Sequence, residues 1–149
     1  MVQVPTLTRV TVVVDTVQTV HCAALAVELS RRAGAAGRTI DVLVEVNVAG
    51  DVQKSGCAPA DARAVLDAVR SAPSLRLRGL MTMPPWTDDP EHARPFFAAL
   101  RELRDRLGGA SQLPDLSMGM SHDFEIAIGE GATIVRVGTA IFGERLERA

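Results

Sequence analysis

The chain has 149 residues, of which 47% are hydrophobic and 23% charged, with a net charge of -2. This is enough for one ordinary domain with its own core, and the balanced charge gives no reason to expect nucleic acid as a partner. No apolar run reaches the roughly 20 residues a membrane span requires. The apolar stretch from Met1 to Val20 lacks the basic start and small-residue cleavage site of a signal peptide, which predicts a cytoplasmic protein.

Two absences narrow the chemistry. There is no tyrosine, and of the 16 basic residues one, Lys54, is a lysine, the rest being arginine. A mechanism that needs a tyrosine base or a second lysine is therefore excluded for this chain acting alone. Cys22 and Cys57 are too far apart in sequence for a redox pair or a metal knuckle and read as packing thiols.

Runs suited to strands alternate with patterns suited to amphipathic helices. Val10 to Asp15 (VTVVVD), a β-branched run ending in an acid, predicts the first strand. The Ala- and Leu-rich stretch from Thr19 to Ala33 predicts a helix, stopped by Gly34 and Gly37. Val42 to Val48 (VLVEVNV) is the second expected strand, and the polar loop Gly50 to Cys57 carries Lys54. Pro59 opens a helix to about Ala72, with Ala62, Val65, Leu66 and Val69 on one face. Leu77 to Met83 is the third strand, stopped by Pro84 and Pro85. The helix that follows has Pro95 near its first turn and ends near Leu107, before Gly108 and Gly109. Leu116 to Met120 and Ile134 to Gly138 are the last two strands. Between them Ser121 is the expected N-cap of a brief helix, with Asp123 and Glu125 in a first turn where acids suit the helix dipole.

The order β-α-β-α-β-α-β-α-β, with connections long enough for crossovers, predicts a parallel sheet covered by helices. An open doubly wound sheet and part of a (β/α)8 barrel both satisfy this pattern. In either, ligands bind at the carboxyl ends of the strands. Those ends are Asp15, Asn47, the Lys54 loop, Met81 to Met83, Met118 to Ser121, and Arg136 to Thr139.

The stretch LSMGMSHDFEIAIGEGATIVRVGTAIFG, Leu116 to Gly143, is the most informative. Gly119 allows a close backbone approach, and Ser121 with the N–H groups after it suits an anion. Arg136, Gly138 and Thr139 present a second such turn on the next strand. Phosphate sites of barrel enzymes commonly use the loops after the last two strands. Taken singly, Ser121 reads as a cap, Gly138 as a packing residue and Arg136 as a salt-bridge partner; their order and spacing together point to a phosphate site. The dinucleotide-binding glycine fingerprint is absent, since Gly129-Glu130-Gly131 lies at a helix end. His122 and Asp123 read as cap-region polar groups and Trp86 as a lid or surface packing residue.

These residues carry a resemblance. LSMGMSHDFEIAIGEGATIVRVGTAIFGER is similar to the closing segment of the pyridoxal phosphate homeostasis (YggS-type) family, whose members have the barrel fold of alanine racemase N-terminal domains. VLVEVNVAGDVQKSG, LRLRGLMTM and FFAALREL agree in the same order, so the likeness covers Asp15 to Arg145. It implies an incomplete (β/α)8 TIM-type barrel, the last five parallel strands with their helices, as a single partial domain over residues 1–149. It also implies bound pyridoxal 5'-phosphate (PLP), with phosphate contacts on Ser121, Gly138 and Thr139 and a turn shaped by Met120 and Gly119. Arg136 would lie near the pyridine ring or phosphate, and Asn47 and Met81 along the ring's side of the barrel. Family members are generally regarded as cofactor carriers or regulators of vitamin B6 pools and amino-acid balance, without an established catalytic turnover.

The family's aldimine lysine stands at the end of its first strand. By the resemblance this chain starts just before the fourth, as a truncated gene product would, and Lys54 falls instead on the family's SKSG-type loop. The expectation is weakened, non-covalent PLP binding, with self-association or a separate N-terminal half completing the open barrel edges. Lys54 reads either as a solvated loop residue or as an amine near the cofactor. The alternatives are a fragment of a PLP-dependent racemase or aldolase, which would want the missing lysine and tyrosine, and a barrel fragment that binds phosphates other than PLP.

Overall fold

The computed structural model describes residues 14–143. Its elements run β1 (Thr16–Val20), α1 (Ala23–Ala35), β2 (Ile40–Glu45), α2 (Ala62–Arg70), β3 (Leu75–Met81), a 3-10 turn (Pro90–Ala93), α3 (Arg94–Leu107), α4 (Gly109–Gln112), β4 (Asp115–Met120), α5 (Phe124–Gly129), β5 (Ile134–Arg136) and α6 (Thr139–Phe142). The strands pair in chain order and all in parallel, so β1 and β5 are the outer ones.

Each long helix exists because its sequence gives it one apolar stripe. In α2, Ala62, Val65, Leu66 and Val69 are buried at the i, i+3, i+4, i+7 spacing of a single face. Phe97, Leu100, Leu103 and Leu107, spaced three or four residues apart, give α3 its buried face, and the helix tolerates Pro95 because it falls in the first turn. These stripes meet Ile40, Val42, Val44, Val46, Leu80, Leu116 and Met118 in one apolar cluster. Alternation along a strand then sends the intervening residues to the opposite face, and there the side chains are largely polar. Arg76 pairs with Asp41 and Arg78 with Asp115 at the amino-terminal end of the sheet, while Glu45 and Ser117 are buried higher up.

One contact decides the sheet's shape. The Ser117 hydroxyl on β4 donates to the Gln18 side-chain oxygen on β1 at 2.6 Å. In a flat sheet those strands would lie roughly 14 Å apart, three strand spacings, too far for a glutamine and a serine to touch. The sheet is therefore strongly curved, with its helices on the convex side: a half barrel, not an open doubly wound sheet.

The first strand differs from the sequence expectation. Residues 10–13 lie outside the described residues, and Asp15 occupies the bend before β1. Its carboxylate pairs with Arg38, and its carbonyl accepts from the Asp41 amide at 2.9 Å, which puts Asp15 at the amino-terminal end of the sheet, away from the strand ends that matter. TVQTV takes the strand because Val17 and Val20 join the apolar cluster, a register irregularity between them turning Val20 to the helix side. Helix α1 accordingly starts at Ala23 rather than Thr19. β2 and β3 each begin two residues earlier than expected, and Val46 continues β2 only as a single bridge to Cys57. No helix among the described residues is long and apolar enough to cross a membrane.

Gly79 pairs with Asp115 across β3 and β4, and a Cβ there would lie 1.8 Å from the Asp115 carbonyl oxygen. Gly79→Ala is expected to destabilise the fold by more than the about 1–3 kcal/mol usual for overpacking, read as a lower urea midpoint, since a backbone atom, not a side-chain tip, must yield. An unchanged midpoint would show that the pairing is looser than this register requires.

Candidate functional site

The turns after β4 and β5 meet at one atom. The Ser121 hydroxyl oxygen accepts from the Gly138 amide (3.0 Å) and the Ala140 amide (3.2 Å). A side chain at Gly138 would meet nothing within 4 Å, so the turn opens onto free space, and Thr139 beside it is exposed. Ser121 is not the helix cap that the sequence suggested. Asp123 holds that position without a side-chain cap bond, its carboxylate accepting instead from the Met120 amide at 2.7 Å, while the serine hydroxyl faces the neighbouring turn.

Gly119 has φ +92°, and a Cβ there would sit 2.6 Å from the Ala127 Cβ. The missing side chain thus lets α5 press against the end of β4; the close approach is to the helix. Met120 is partly exposed at the rim and Met81 is buried, its backbone in register with Glu45 and Ser117. The Asn47 side chain is engaged in its own loop, donating to the Asp51 carbonyl (2.7 Å) and accepting from the Asp51 amide (3.2 Å).

Arg136, the last residue of β5, reaches into the concave face. Its guanidinium donates to the Ser117 hydroxyl (2.6 Å) and the Thr82 carbonyl (3.0 Å), and among the described residues no carboxylate is in ion-pair contact with it. Burial lowers its pKa from the ordinary value, while the carboxylates of Asp123 and Glu45, further off, act in the opposite direction. A half-buried cation held by neutral oxygens retains attraction for an incoming anion or electron-rich acceptor.

The surrounding loops are tied to each other. Lys54 Nζ donates to the Pro84 carbonyl (2.8 Å), and Ser55 donates to the buried Glu45 carboxylate (2.9 Å). Trp86 stacks on His122 with ring centroids 5.8 Å apart, and His122 Nε2 lies 3.1 Å from the Thr87 carbonyl oxygen. Trp86 therefore fastens the loop after β3 to the turn after β4. His122 and Asp123 face different partners, and no group of three possible metal ligands occurs among the described residues. Cys57 is packed in the core, where burial pushes its thiol up to about 11.

Sequence reasoning passed over Gln18, Ser117 and Glu45, and took in Thr82 only within the strand end Met81 to Met83. The signal was present for two of them: Glu45 in VLVEVNV and Ser117 in LSMGM are polar residues inside otherwise apolar strands, and such residues in a buried strand need specific partners.

A curved, all-parallel sheet with helices on its convex side and polar groups gathered at the carboxyl ends of its strands defines the (β/α)-barrel class of ligand-binding proteins. The chain belongs to the family described as alanine racemase, N-terminal domain, whose model matches residues 5–146. It is 50% identical over 123 residues to the pyridoxal phosphate homeostasis protein of Aquifex aeolicus, covering 81% of this chain and 54% of that one. It resembles PipY of Synechococcus elongatus, solved with PLP bound, at a TM-score of 0.82 and 32% identity, covering 96% of this chain and 68% of PipY. A crystal structure of a protein from Bifidobacterium adolescentis aligns at a TM-score of 0.85 and 44% identity, covering 95% and 58%. The chain thus spans about half the length of the curated relatives it matches.

The site's outer wall is pinned by one carboxylate. Glu130, at the end of α5, pairs with both Arg94 and Arg101 of α3. Hydrogen bonds from Arg94, then Arg101, hold its carboxyl below its ordinary value of 4.5. A carboxylate with a lowered folded-state pKa contributes its full stabilisation above the unfolded value and loses it as pH falls through the folded one. Glu130→Gln is expected to flatten the decline of the urea midpoint as pH falls below 4.5; a variant curve parallel to wild type would show that the clamp adds nothing.

Proposed function

We propose that the chain is a cytoplasmic, single-domain PLP-binding protein of vitamin B6 homeostasis that holds the cofactor non-covalently and performs no turnover of its own. The observation that carries this reading is the convergence of the Gly138 and Ala140 amides on Ser121 beside Arg136. The donor set suits PLP: two amides and a hydroxyl at an open turn for a phosphate ester, and, one step deeper, a guanidinium that touches no carboxylate among the described residues for an aromatic nitrogen heterocycle.

Bound there, PLP would supply an aldehyde and an electron-withdrawing ring. Ser121, Gly138 and Thr139 would hold the phosphate, the Ser121 hydroxyl turning to donate once an anion takes over the amides. Arg136 would face the ring, Met81 and Met120 would supply apolar wall, and Gly119 would keep the turn in place by seating α5. Asn47 would act through the shape of its loop. The non-catalytic part of the proposal is supported by the absence of tyrosine and by Lys54, the sole amine side chain, being engaged at Pro84. The edges of β1 and β5 would accept a second copy or an N-terminal half of the barrel.

Titration of the purified chain with PLP, followed by the cofactor's absorbance and by intrinsic Trp86 fluorescence, is expected to show saturable binding that reverses on dialysis. Ser121→Ala should weaken it about tenfold or more, the equivalent of one hydrogen bond to a charged group. Inorganic phosphate should compete weakly. Sugar phosphates binding as tightly as PLP would favour a general phosphate site, and borohydride trapping of PLP on Lys54 would overturn the non-covalent assignment.

A further inference from the structure

Gln18 lies on the outer strand β1, far in sequence from everything assigned to the site, and no role in ligand binding follows from its position alone. Its side-chain oxygen nevertheless ends a directed chain of hydrogen bonds. Arg136 Nη1 donates to the Ser117 hydroxyl at 2.6 Å, and that hydroxyl donates to Gln18 Oε1 at 2.6 Å. A serine hydroxyl has one proton and two lone pairs. With the proton committed to Gln18, a lone pair is fixed toward the guanidinium. Ser117 itself is fully buried, so no water competes for that proton. The second guanidinium nitrogen is held by the Thr82 carbonyl, and Thr82 is in turn fixed by its hydroxyl donating to the Val46 carbonyl at 2.8 Å. Two neutral oxygens therefore set the plane of the guanidinium, and the orientation of one of them depends on Gln18.

We propose that Gln18 is a positioning residue: acting through the Ser117 hydroxyl, it fixes the plane of the Arg136 guanidinium and so the recognition of the ring portion of a bound phosphate ester, without touching the ligand. This rests on the PLP reading of the site. The geometry separates the ring from the phosphate, since Gln18, Ser117 and Arg136 meet on the concave face, while Ser121 gathers its amides at the turn beyond β5. Loss of the acceptor at position 18 should therefore affect ligands with a pyridine ring and spare plain phosphate esters.

The test compares Gln18→Leu, which keeps the size but removes the acceptor, with Gln18→Glu, which keeps an acceptor oxygen. Binding of PLP and of benzyl phosphate, a phosphate ester whose ring lacks nitrogen, is measured for each full-length variant. Gln18→Leu is expected to weaken PLP about tenfold, as expected for one hydrogen bond to a charged group, and to leave benzyl phosphate unchanged. Gln18→Glu should stay close to wild type, and in an Arg136→Gln background Gln18→Leu should add no further loss. An equal loss for both ligands, or none for PLP, would overturn the proposal.

A ligand-free readout keeps its failure distinct from failure of the PLP reading. The 15N spectrum of the arginine guanidinium groups should show a slowly exchanging Arg136 signal in wild type and Gln18→Glu that is lost in Gln18→Leu. If the signal behaves so but wild type binds no PLP, the relay stands and the cofactor reading falls. If the signal is the same in all three proteins, the relay itself is wrong.

Discussion

The curvature that lets Gln18 on β1 reach Ser117 on β4 governs the rest of this molecule. A sheet bent that far has a convex face, which takes the apolar stripes of the helices, and a concave face on which side chains from non-adjacent strands can meet. Polar groups placed on the concave face must find each other, and among the described residues no buried side-chain nitrogen or oxygen is left without a partner. How they do so changes along the strands. At the amino-terminal end opposite charges face each other, Asp41 with Arg76 and Asp115 with Arg78, and the charge is cancelled locally. At the carboxyl end a single guanidinium, Arg136, is held by a hydroxyl and a carbonyl. The two ends of one surface thus differ in kind: one cancels its charge within the fold, and the other keeps a cation held by neutral oxygens.

The same end is also where the connections lock onto each other. Lys54 bonds to the loop after β3, Trp86 on that loop stacks on His122 after β4, and Ser121 bonds to the turn after β5. Each link joins neighbouring strands in chain order, so the rim is fastened from β2 round to β5. Beneath it, Glu130 ties the end of α5 to α3, and Gly119 lets α5 sit against β4. The position of Ser121 is therefore set from both sides, by a helix behind it and a turn ahead of it.

Much of this was legible in the sequence and some of it was not, for identifiable reasons. The face of α2 followed from helical spacing, and the pairing of Ser121 with the Gly138 turn followed from their places at the ends of consecutive strands. Thr16–Val20 was not foreseen as a strand because VTVVVD and TVQTV are both β-branched runs, and hydropathy alone does not say that TVQTV pairs with β2. Asn47 was expected on the ring's side of the barrel but its amide closes a local turn, a competition between side chain and backbone that short polar residues often win. The Gln18–Ser117 contact, 99 residues apart in sequence, depends on curvature, and no local pattern encodes curvature.

On the proposed reading, the state of the site without ligand bears on how a cofactor would come and go. The Gly138 and Ala140 amides already have an acceptor in Ser121, so a phosphate replaces one set of hydrogen bonds by another instead of satisfying vacant donors. The net gain per bond is then modest, as in any exchange of hydrogen-bond partners. Arg136 behaves alike, being already bonded to two oxygens. A site built this way recognises its ligand by shape and charge without gripping it irreversibly, and both loading and release avoid passing through a state with unpaired amides. Such an arrangement suits a protein whose task is to hold and hand over a cofactor more than one that must retain it through repeated chemical steps.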